Sequence, residues 1–252
     1  MNIFKRTAEK LLDLYLSPLR TNGRISLVAS NLLNRSSSHL HGAVQSIRRA
    51  TDSKNYIVID VGAFDGGTCI YFAKAFPDAK IMGFEPNPYS FRLAQKNCQT
   101  ESNIELLNLA LDKNAGLAEF YISSNSVSSS LNPILDNEKF GLQEKITVNA
   151  DNLDHVFAER TEKILLIKLD AQGRELSILQ GARKLLDRTE FVLSEMNCRN
   201  ESYSDGCSYH EVDEFLRKEG FELMNIFSAY ITEGISEFDA LYRKVKTNRK
   251  KT

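Results

Sequence analysis

Small and acidic residues follow two short apolar runs of the sequence. Asp60 lies near the end of the run 56–61, and Glu85 directly follows the run 80–84. Small residues turn the chain after the first run: Gly62, Ala63 and Gly66. Glycine lets a backbone approach a ligand closely, and a carboxylate accepts hydrogen bonds from the two hydroxyls of a ribose. The pattern therefore predicts a site for an adenosine-containing cofactor.

The charge of this segment distinguishes between two cofactors. A nicotinamide-binding fold usually presents G-x-G-x-x-G directly after an apolar strand, whereas here the acid Asp60 precedes Gly62, Gly66 and Gly67. That carboxylate would repel a diphosphate and attract a cationic sulfonium that also carries an ammonium group. We therefore expect S-adenosylmethionine. The alternative is that the glycines only form turns and that Asp65 only caps a helix.

Three ionisable residues form a second candidate group. Lys168 and Asp170 are two positions apart and share one face of a strand, while Asp170 and Glu195 end neighbouring predicted strands. If the sulfonium cofactor gives its methyl group to a hydroxyl of an acceptor molecule, a general base assists by taking the hydroxyl proton. Either Asp170 or Glu195 is expected to be that base. Lys168 would orient the substrate or tune the carboxylates; alternatively, it forms a buried ion pair that only shapes the site. No histidine stands at ligand spacing, so a divalent metal is left open and no metal ligand is assigned.

These residues need a parallel sheet to bring them together. Apolar runs alternate with helical patterns, which indicates βαβ units. The runs that we interpret as strands are residues 56–61, 80–84, 104–110, 164–169, 191–193, 221–227 and 238–242. The last two have no helical pattern between them and are predicted to pair antiparallel. Because ligands bind beyond the carboxyl ends of parallel strands, the candidate residues are expected to meet at one edge of the sheet.

Two polar segments interrupt the alternation. Residues 117–150 contain one alternating, exposed strand pattern and a serine-rich connector, residues 123–130, which covers the site or forms a loose surface loop. Residues 197–209 follow Glu195 and have the polar and aromatic mix of a carbohydrate-contacting loop, or equally of any surface loop. The polar and aromatic side chains in this loop include Arg199, Tyr203, Asp205 and Tyr209.

The N-terminal segment, residues 1–52, is predicted to be a helical extension. Apolar side chains recur there at helical spacing: Phe4, Ala8, Leu11, Leu12, Tyr15, Leu16 and Leu19. Basic residues outnumber acidic ones, so the extension packs on the core or a partner subunit, or makes peripheral contact with a membrane surface or the substrate. The domain that follows is assigned to residues 53–246, and a basic tail to residues 247–252.

Composition places the chain among ordinary globular proteins. Of its 252 residues 42% are hydrophobic, and the formal net charge of −1 excludes a chain-wide basic field for nucleic acid. The four cysteines form no C-x-x-C pair, which favours reduced thiols and a cytoplasmic location. No apolar run has the length of a membrane span, and the first residues lack the apolar centre of a signal peptide.

Residues 60–242 resemble the class I S-adenosylmethionine-dependent methyltransferases, and specifically the FkbM family. The motifs that carry the resemblance are Asp60-Val61-Gly62-Ala63, Gly83-Phe84-Glu85-Pro86-Asn87-Pro88, Asn108-Leu109-Ala110-Leu111, Ile167-Lys168-Leu169-Asp170-Ala171-Gln172-Gly173-Arg174-Glu175, Leu179-Gln180-Gly181-Ala182, Glu195 and Phe238-Asp239-Ala240-Leu241-Tyr242. The resemblance implies an α/β fold with a Rossmann-like, seven-stranded, mostly parallel sheet, helices on both faces and an antiparallel last strand. It also implies that Pro86, Asn108, Ala110 and Asp170 contact the cofactor. The implied activity is methyl transfer, usually to a hydroxyl on a sugar or natural product.

Two positions depart from the family's common pattern. Phe64 stands where the family commonly has Asn, and Gln172 stands where it commonly has Glu. If a carboxylate at position 172 does chemistry or holds a metal, this chain has lost it; if it only caps a helix, Gln serves nearly as well. Two alternative functions stay open: a nicotinamide-dependent reductase, and a non-catalytic adenosine-binding scaffold. The sequence leaves open which small molecule or glycan is the acceptor and whether the chain forms a homo-oligomer.

Overall fold

The computed structural model describes residues 37–51, 54–123, 129–133, 142–198, 204, 206–231 and 235–245 of the chain. Several sequence predictions therefore lie outside the described residues. These are the amphipathic helix within residues 1–19, the middle of the serine-rich connector, the tail 247–252, and Arg199, Tyr203 and Asp205.

The strands form two sheets. In chain order they are β1 (Ile57–Val61), β2 (Lys80–Phe84), β3 (Ile104–Leu107), β4 (Ala110–Leu111), β5 (Gly116–Ser123), β6 (Leu142–Asp151), β7 (Ile164–Leu169), β8 (Thr189–Asn197), β9 (Phe221–Ile231) and β10 (Ile235–Lys244). The main sheet has seven strands in the order β3-β2-β1-β7-β8-β10-β9, and β10 runs antiparallel to both of its neighbours. The α/β class, the seven-stranded, mostly parallel sheet and the antiparallel last strand are confirmed.

The smaller sheet was not predicted, and it corrects two predictions. The expected strand 104–110 divides, because β3 ends at Leu107 and Ala110 begins β4, which joins β6 in the second sheet. The segment interpreted as lacking regular alternation contains β6, which pairs antiparallel with β5. Among the side chains of β6 that the structure describes, only Val148 and Ala150 are buried. The apolar signal of this strand is therefore too weak for sequence alone.

Seven described helices flank the main sheet. They are α1 (Ser37–Ala50), α2 (Gly67–Ala75), α3 (Pro88–Cys98), α4 (Leu153–Val156), α5 (Glu175–Gln180), α6 (Arg183–Leu186) and α7 (Tyr209–Lys218). The first three helices pack in one apolar cluster and the last four in another, each cluster sharing side chains with the sheet. Alternate residues of β1 divide between the clusters, Ile57 and Ile59 joining one and Val58 the other. Helices therefore cover both faces, and β1 is buried on both sides as a central parallel strand requires.

Helix α1 lies within the segment assigned to the N-terminal extension. Its buried side chains recur at helical spacing, namely Leu40, Val44 and Ile47, and they join the sheet cluster that contains α2. Gly42 lies so close to Phe227 of β9 that an added Cβ would come within 2.8 Å of its ring. The last helix of the assigned extension thus packs on the sheet, and the boundary at residue 52 stays a prediction.

The described helices and cysteines bear on two further expectations. None of the described helices combines the length and apolar character needed to cross a bilayer. All four cysteines, Cys69, Cys98, Cys198 and Cys207, are thiols without a disulfide, as expected.

Candidate active site

The carboxyl ends of β1 and β7 meet where the strand order of the main sheet reverses. The two strands are neighbours at the centre of the sheet, and the next strands along the chain lie on opposite sides of them. Here the N–H of Asp170 donates to the carbonyl of Val61 over 3.2 Å. An added Cβ at Gly62, which has a φ of +79°, would lie 2.1 Å from the carbonyl oxygen of Asp170. Only glycine therefore allows the two strand ends to approach so closely.

Lys168 lies between two carboxylates at this edge. Its Nζ is 3.3 Å from Oδ1 of Asp60 and 3.1 Å from Oδ2 of Asp170. Asp60 is fully buried, and its other oxygen accepts the thiol of Cys69. Burial by itself lowers the pKa of Lys168, but Asp170 and Asp60 outweigh it and raise that pKa above its ordinary value. The two acids therefore favour the cationic form of Lys168.

Gln172 joins two carboxylates of the site. Its side-chain nitrogen donates to Oδ1 of Asp170 over 2.9 Å and to Oε2 of Glu195 over 3.1 Å. Asp170 follows β7 and Glu195 lies in the adjacent strand β8, so the amide spans two strand ends. Lys168, Asp170, Gln172 and Glu195 therefore form one continuous chain of hydrogen bonds. From the sequence, Gln172 was identified only as a departure from the family's common pattern, and these two hydrogen bonds were not predicted.

Asp239 extends the acidic region onto the antiparallel strand β10. It lies directly opposite Glu195 in the register of β8 and β10. Burial, followed by the charge of Asp170, raises the pKa of Asp239 to about 7. Burial, followed by Asp170 and Glu175, raises the pKa of Glu195 well above its ordinary value. Asp239 was not predicted as a site residue, although it lies in the final apolar run and in one of the motifs that carry the family resemblance.

Glu85 forms a separate carboxylate at the end of β2. Its Oε2 accepts the N–H of Phe64 and its Oε1 accepts the N–H of Asn87, each over 2.8 Å. Burial raises its pKa to about 7, although these two hydrogen bonds act in the opposite direction. Asn108 donates from its side chain to the carbonyls of Glu85 and Pro86 over 2.8 and 3.0 Å. The loop after β2 is thus fixed from β1 on one side and from the residue after β3 on the other.

The remaining predicted cofactor residues occupy the turns around these carboxylates. The backbone N–H groups of Gly62 and Ala63 both donate to the carbonyl of Phe84, which joins the turn after β1 to the end of β2. Gly66 is the N-cap residue of α2. Ala110 is buried at the start of the second sheet. The structure therefore brings Asp60 together with the residues after β2 and β7, while the cofactor contacts themselves stay predictions.

Glu175 holds the backbone around Gln172. One oxygen of this buried carboxylate accepts the N–H of Ala171 over 2.9 Å and that of Gly173 over 3.3 Å. Its other oxygen accepts the thiol of Cys207. Burial raises the pKa of Glu175, and its backbone hydrogen bonds oppose that change. Glu175 belongs to a motif of the sequence, but no role was predicted for it. In the structure its hydrogen bonds fix the loop after β7.

The second sheet reaches the same loop through its connecting segment. Ser130 donates from its hydroxyl to the carbonyl of Gln172 over 2.9 Å, and Asn132 accepts from Arg174 over 3.1 Å. Arg174 also pairs with Asp112, which follows β4. The described part of this insertion thus contacts the site rather than standing away from it. Whether the middle of the connector covers the site lies outside the described residues.

The architecture and the placement of the acids define the class of fold. The sheet order, which reverses between β1 and β7, is that of a Rossmann-like fold. One solved structure with this fold is magnesium protoporphyrin IX methyltransferase (ChlM) from Synechocystis PCC 6803 with bound SAM. The two share 11% sequence identity with a TM-score of 0.50, and the match covers 89% of this chain and 87% of that one.

The sequence places the chain within a family of that class. Residues 60–223 match the Methyltransferase FkbM domain, and the chain belongs to this family of methyltransferases. A 2-O-methyltransferase, NoeI of Sinorhizobium fredii, is 25% identical over 172 residues, which are 64% of this chain and 70% of that protein. The hexuronic acid methyltransferase AglP of Haloferax volcanii is 27% identical over 146 residues, which are 56% of each chain. The resemblance predicted from the motifs is confirmed.

Proposed function

We propose that this methyltransferase uses S-adenosylmethionine to methylate a hydroxyl group on a sugar or natural product. The observation that carries the proposal is the pair of carboxylates joined by Gln172 at the reversal point of the sheet, beside the glycine turn after β1. The relatives support the choice of acceptor, because one is named a 2-O-methyltransferase and another a hexuronic acid methyltransferase. The acceptor is accordingly a small molecule or a glycan.

The residues of this edge fit the proposed cofactor. Each oxygen of Glu85 accepts one backbone N–H and keeps a further lone pair, so both can also accept a ribose hydroxyl. The turn Gly62–Ala63–Gly66 brings backbone rather than side chains to the ligand. Asp60, Asp170 and Glu195 outnumber Lys168, which favours a cationic ligand over a diphosphate. When bound, S-adenosylmethionine supplies a methyl group already activated on a cationic sulfur.

The chain itself has to orient the acceptor and remove a proton. One oxygen of Asp170 accepts a hydrogen bond from Lys168 and the other accepts one from Gln172, so Asp170 is held in place as an ion-paired carboxylate. Oε2 of Glu195 accepts a hydrogen bond from the side-chain amide of Gln172. Its raised pKa also makes it the stronger base once it is ionised. We therefore assign Glu195 as the base that takes the hydroxyl proton, and Asp170 with Lys168 as the pair that orients the acceptor.

Three further assignments belong to this proposal. The thiol state of the cysteines fits a reducing compartment such as the cytoplasm. No metal ligand is assigned, because the Gln172 amide already joins the two carboxylates that a cation would bridge. The helical extension, residues 1–52, is proposed to contact the core, a partner subunit or a membrane surface.

Calorimetry with the spent cofactor tests the proposal first. The full chain should bind S-adenosylhomocysteine and should not bind NADH, and Glu85→Ala should weaken binding of the former at least about tenfold. Glu214→Ala is the matched control, because Glu214 is an exposed glutamate on α7. Binding of NADH alone would replace the proposal with a nicotinamide-dependent reductase.

Transfer of a labelled methyl group tests the reaction itself. Purified chain is incubated with methyl-labelled S-adenosylmethionine and a panel of glycans and polyketides, and product is counted by scintillation and located by mass spectrometry. Label on an acceptor oxygen is the expected result, and Glu195→Gln should abolish it while S-adenosylhomocysteine still binds. Cofactor binding with no transfer to any member of a broad panel would favour the non-catalytic scaffold, and label on nitrogen would overturn the assignment to a hydroxyl.

A further inference from the structure

The side chain of Gln172 makes two hydrogen bonds through its one amide nitrogen. Its single nitrogen carries two N–H groups, and the acceptors are Oδ1 of Asp170 at 2.9 Å and Oε2 of Glu195 at 3.1 Å. Both acceptors are carboxylate oxygens, and such bonds are strongest when both carboxylates are ionised. The amide thus supplies the donors that two neighbouring acids would otherwise obtain by binding a proton.

The backbone around Gln172 is held in an uncommon conformation. Its φ is +52°, in the left-handed region that non-glycine residues rarely adopt. Three contacts from two directions hold it there. The carbonyl of Gln172 accepts the hydroxyl of Ser130 from the second sheet, and the N–H groups of Ala171 and Gly173 bind Glu175 of α5. Strain of this kind persists only where the surroundings fix it, and here it directs the amide at the two acids.

We propose that Gln172 is a positioning residue that fixes Asp170 and Glu195 side by side and favours their ionised forms, so that Glu195 can accept a proton from the acceptor. This inference rests on the proposed methyl transfer for its catalytic meaning. Without the amide, the two carboxylates repel each other and Glu195 holds a proton to a higher pH. Among the described residues, the charged groups that act on Glu195 from the neighbouring elements are Asp170, Glu175, Glu237 and Asp239, and all four are acids. The cation Lys168, which belongs to the same chain of hydrogen bonds, is already paired with Asp60 and Asp170.

The proton affinity of Glu195 tests the role directly and without an acceptor. Infrared difference titration of the carboxyl band, with Glu195→Gln as the subtraction reference, reports the pKa of Glu195 in each variant. In Gln172→Leu this pKa should rise by about one unit or more, and in the isosteric Gln172→Glu it should rise further because a third acid joins the pair. Gln180→Leu, at an exposed glutamine of α5, should leave it unchanged.

A second measurement separates a positioning role from a structural one. S-adenosylhomocysteine should still bind Gln172→Leu, since the hydrogen bonds that hold Glu85 and the loop after β2 do not involve the amide. If leucine at a positive φ prevents folding, Gln172→Gly removes the amide in a conformation that glycine adopts freely. An unchanged Glu195 pKa in a folded variant without the amide overturns the inference. Failure of the wild-type chain to bind S-adenosylhomocysteine would instead overturn the proposed function and leave the titration result intact.

Discussion

Asp60 and Lys168 are direct neighbours in the parallel register of β1 and β7, and the Nζ of Lys168 lies 3.3 Å from Oδ1 of Asp60. Both side chains are almost fully buried, and the pair lies where the two central strands end. A carboxylate in such a place is costly unless a cation accompanies it. The ion pair therefore links the stability of the central strands to the charge of the site.

Replacing Lys168 with methionine should destabilise the fold strongly. Removing one partner of a buried ion pair leaves an uncompensated charge, which costs about 3 to 5 kcal/mol. Urea denaturation followed by circular dichroism measures the loss. Lys163→Met, at an exposed lysine just before β7, is the control and should change stability by less than about 0.5 kcal/mol.

The double variant Asp60→Asn with Lys168→Met distinguishes charge from packing. Because asparagine removes the uncompensated carboxylate, the double variant should recover more than about 1 kcal/mol relative to the sum of the two single changes. Additive losses would contradict a coupled ion pair and would assign the effect of Lys168 to its packing alone.

The sequence predicted the site's acids but not the contacts that connect them. Asp60 and Glu85 were identifiable because one lies near the end of an apolar run and the other directly follows one, and strand ends meet at one edge of a parallel sheet. The position of Asp239 opposite Glu195 depends on an antiparallel register between β8 and β10, which local sequence does not fix. The reach of Gln172 depends on a left-handed backbone set by tertiary contacts. Residue types thus indicated the chemistry, and long-range pairing determined the geometry.

Replacing Gly62 with alanine should damage the fold and cofactor binding together. An added Cβ would lie 2.1 Å from the carbonyl oxygen of Asp170, so the two central strand ends would have to separate. Gly220 is a matched control, because it has the same φ of +79° and an added Cβ there meets nothing nearer than 4.0 Å. Gly220→Ala should cost about 1 to 2 kcal/mol from the backbone conformation alone.

The difference between the two alanine variants isolates the steric clash. Thermal unfolding and calorimetry with S-adenosylhomocysteine should show a larger loss of stability for Gly62→Ala, and at least about tenfold weaker binding in that variant only. Equal losses in the two variants would mean that the strand ends tolerate separation.

Replacing Asp112 with alanine should release the second sheet from the loop after β7. Asp112 pairs with Arg174 over 2.5 Å and accepts the hydroxyl of Ser177, so it joins the end of β4 to α5. Burial alone would raise its pKa, but these partners hold the pKa below its ordinary value. Loss of hydrogen bonds to a charged group costs about 1.5 to 3 kcal/mol.

Amide hydrogen exchange shows which part of the structure loses stability in Asp112→Ala. Amide protection should decrease in β5 and β6 of Asp112→Ala more than in β1, because only the smaller sheet loses a connection. Lys113→Ala, at the exposed neighbouring residue, should leave both sheets protected. A uniform decrease across both sheets would show that Asp112 stabilises the whole fold instead.

Glu85 should make both stability and cofactor binding depend on pH near neutrality. Burial raises its pKa from 4.5 to about 7, so its contribution to stability is complete below pH 4.5 and is lost as the pH rises through about 7. Ribose hydroxyls donate hydrogen bonds to a carboxylate, and they therefore favour the ionised form. The affinity for S-adenosylhomocysteine should accordingly increase, seen as a falling Kd, as the pH rises through about 7. The stability of the fold should decrease over the same range.

Glu85→Gln separates this titration from every other group in the site. The amide keeps the shape of the side chain but cannot ionise and offers a single acceptor oxygen, so binding should weaken about tenfold and lose its pH dependence near 7. Calorimetry across the pH range measures the Kd, with Glu119→Gln as the control because Glu119 is exposed on β5. If the variant keeps the wild-type pH dependence, a different carboxylate controls cofactor binding, and Asp239, whose pKa burial also raises to about 7, is the next to test.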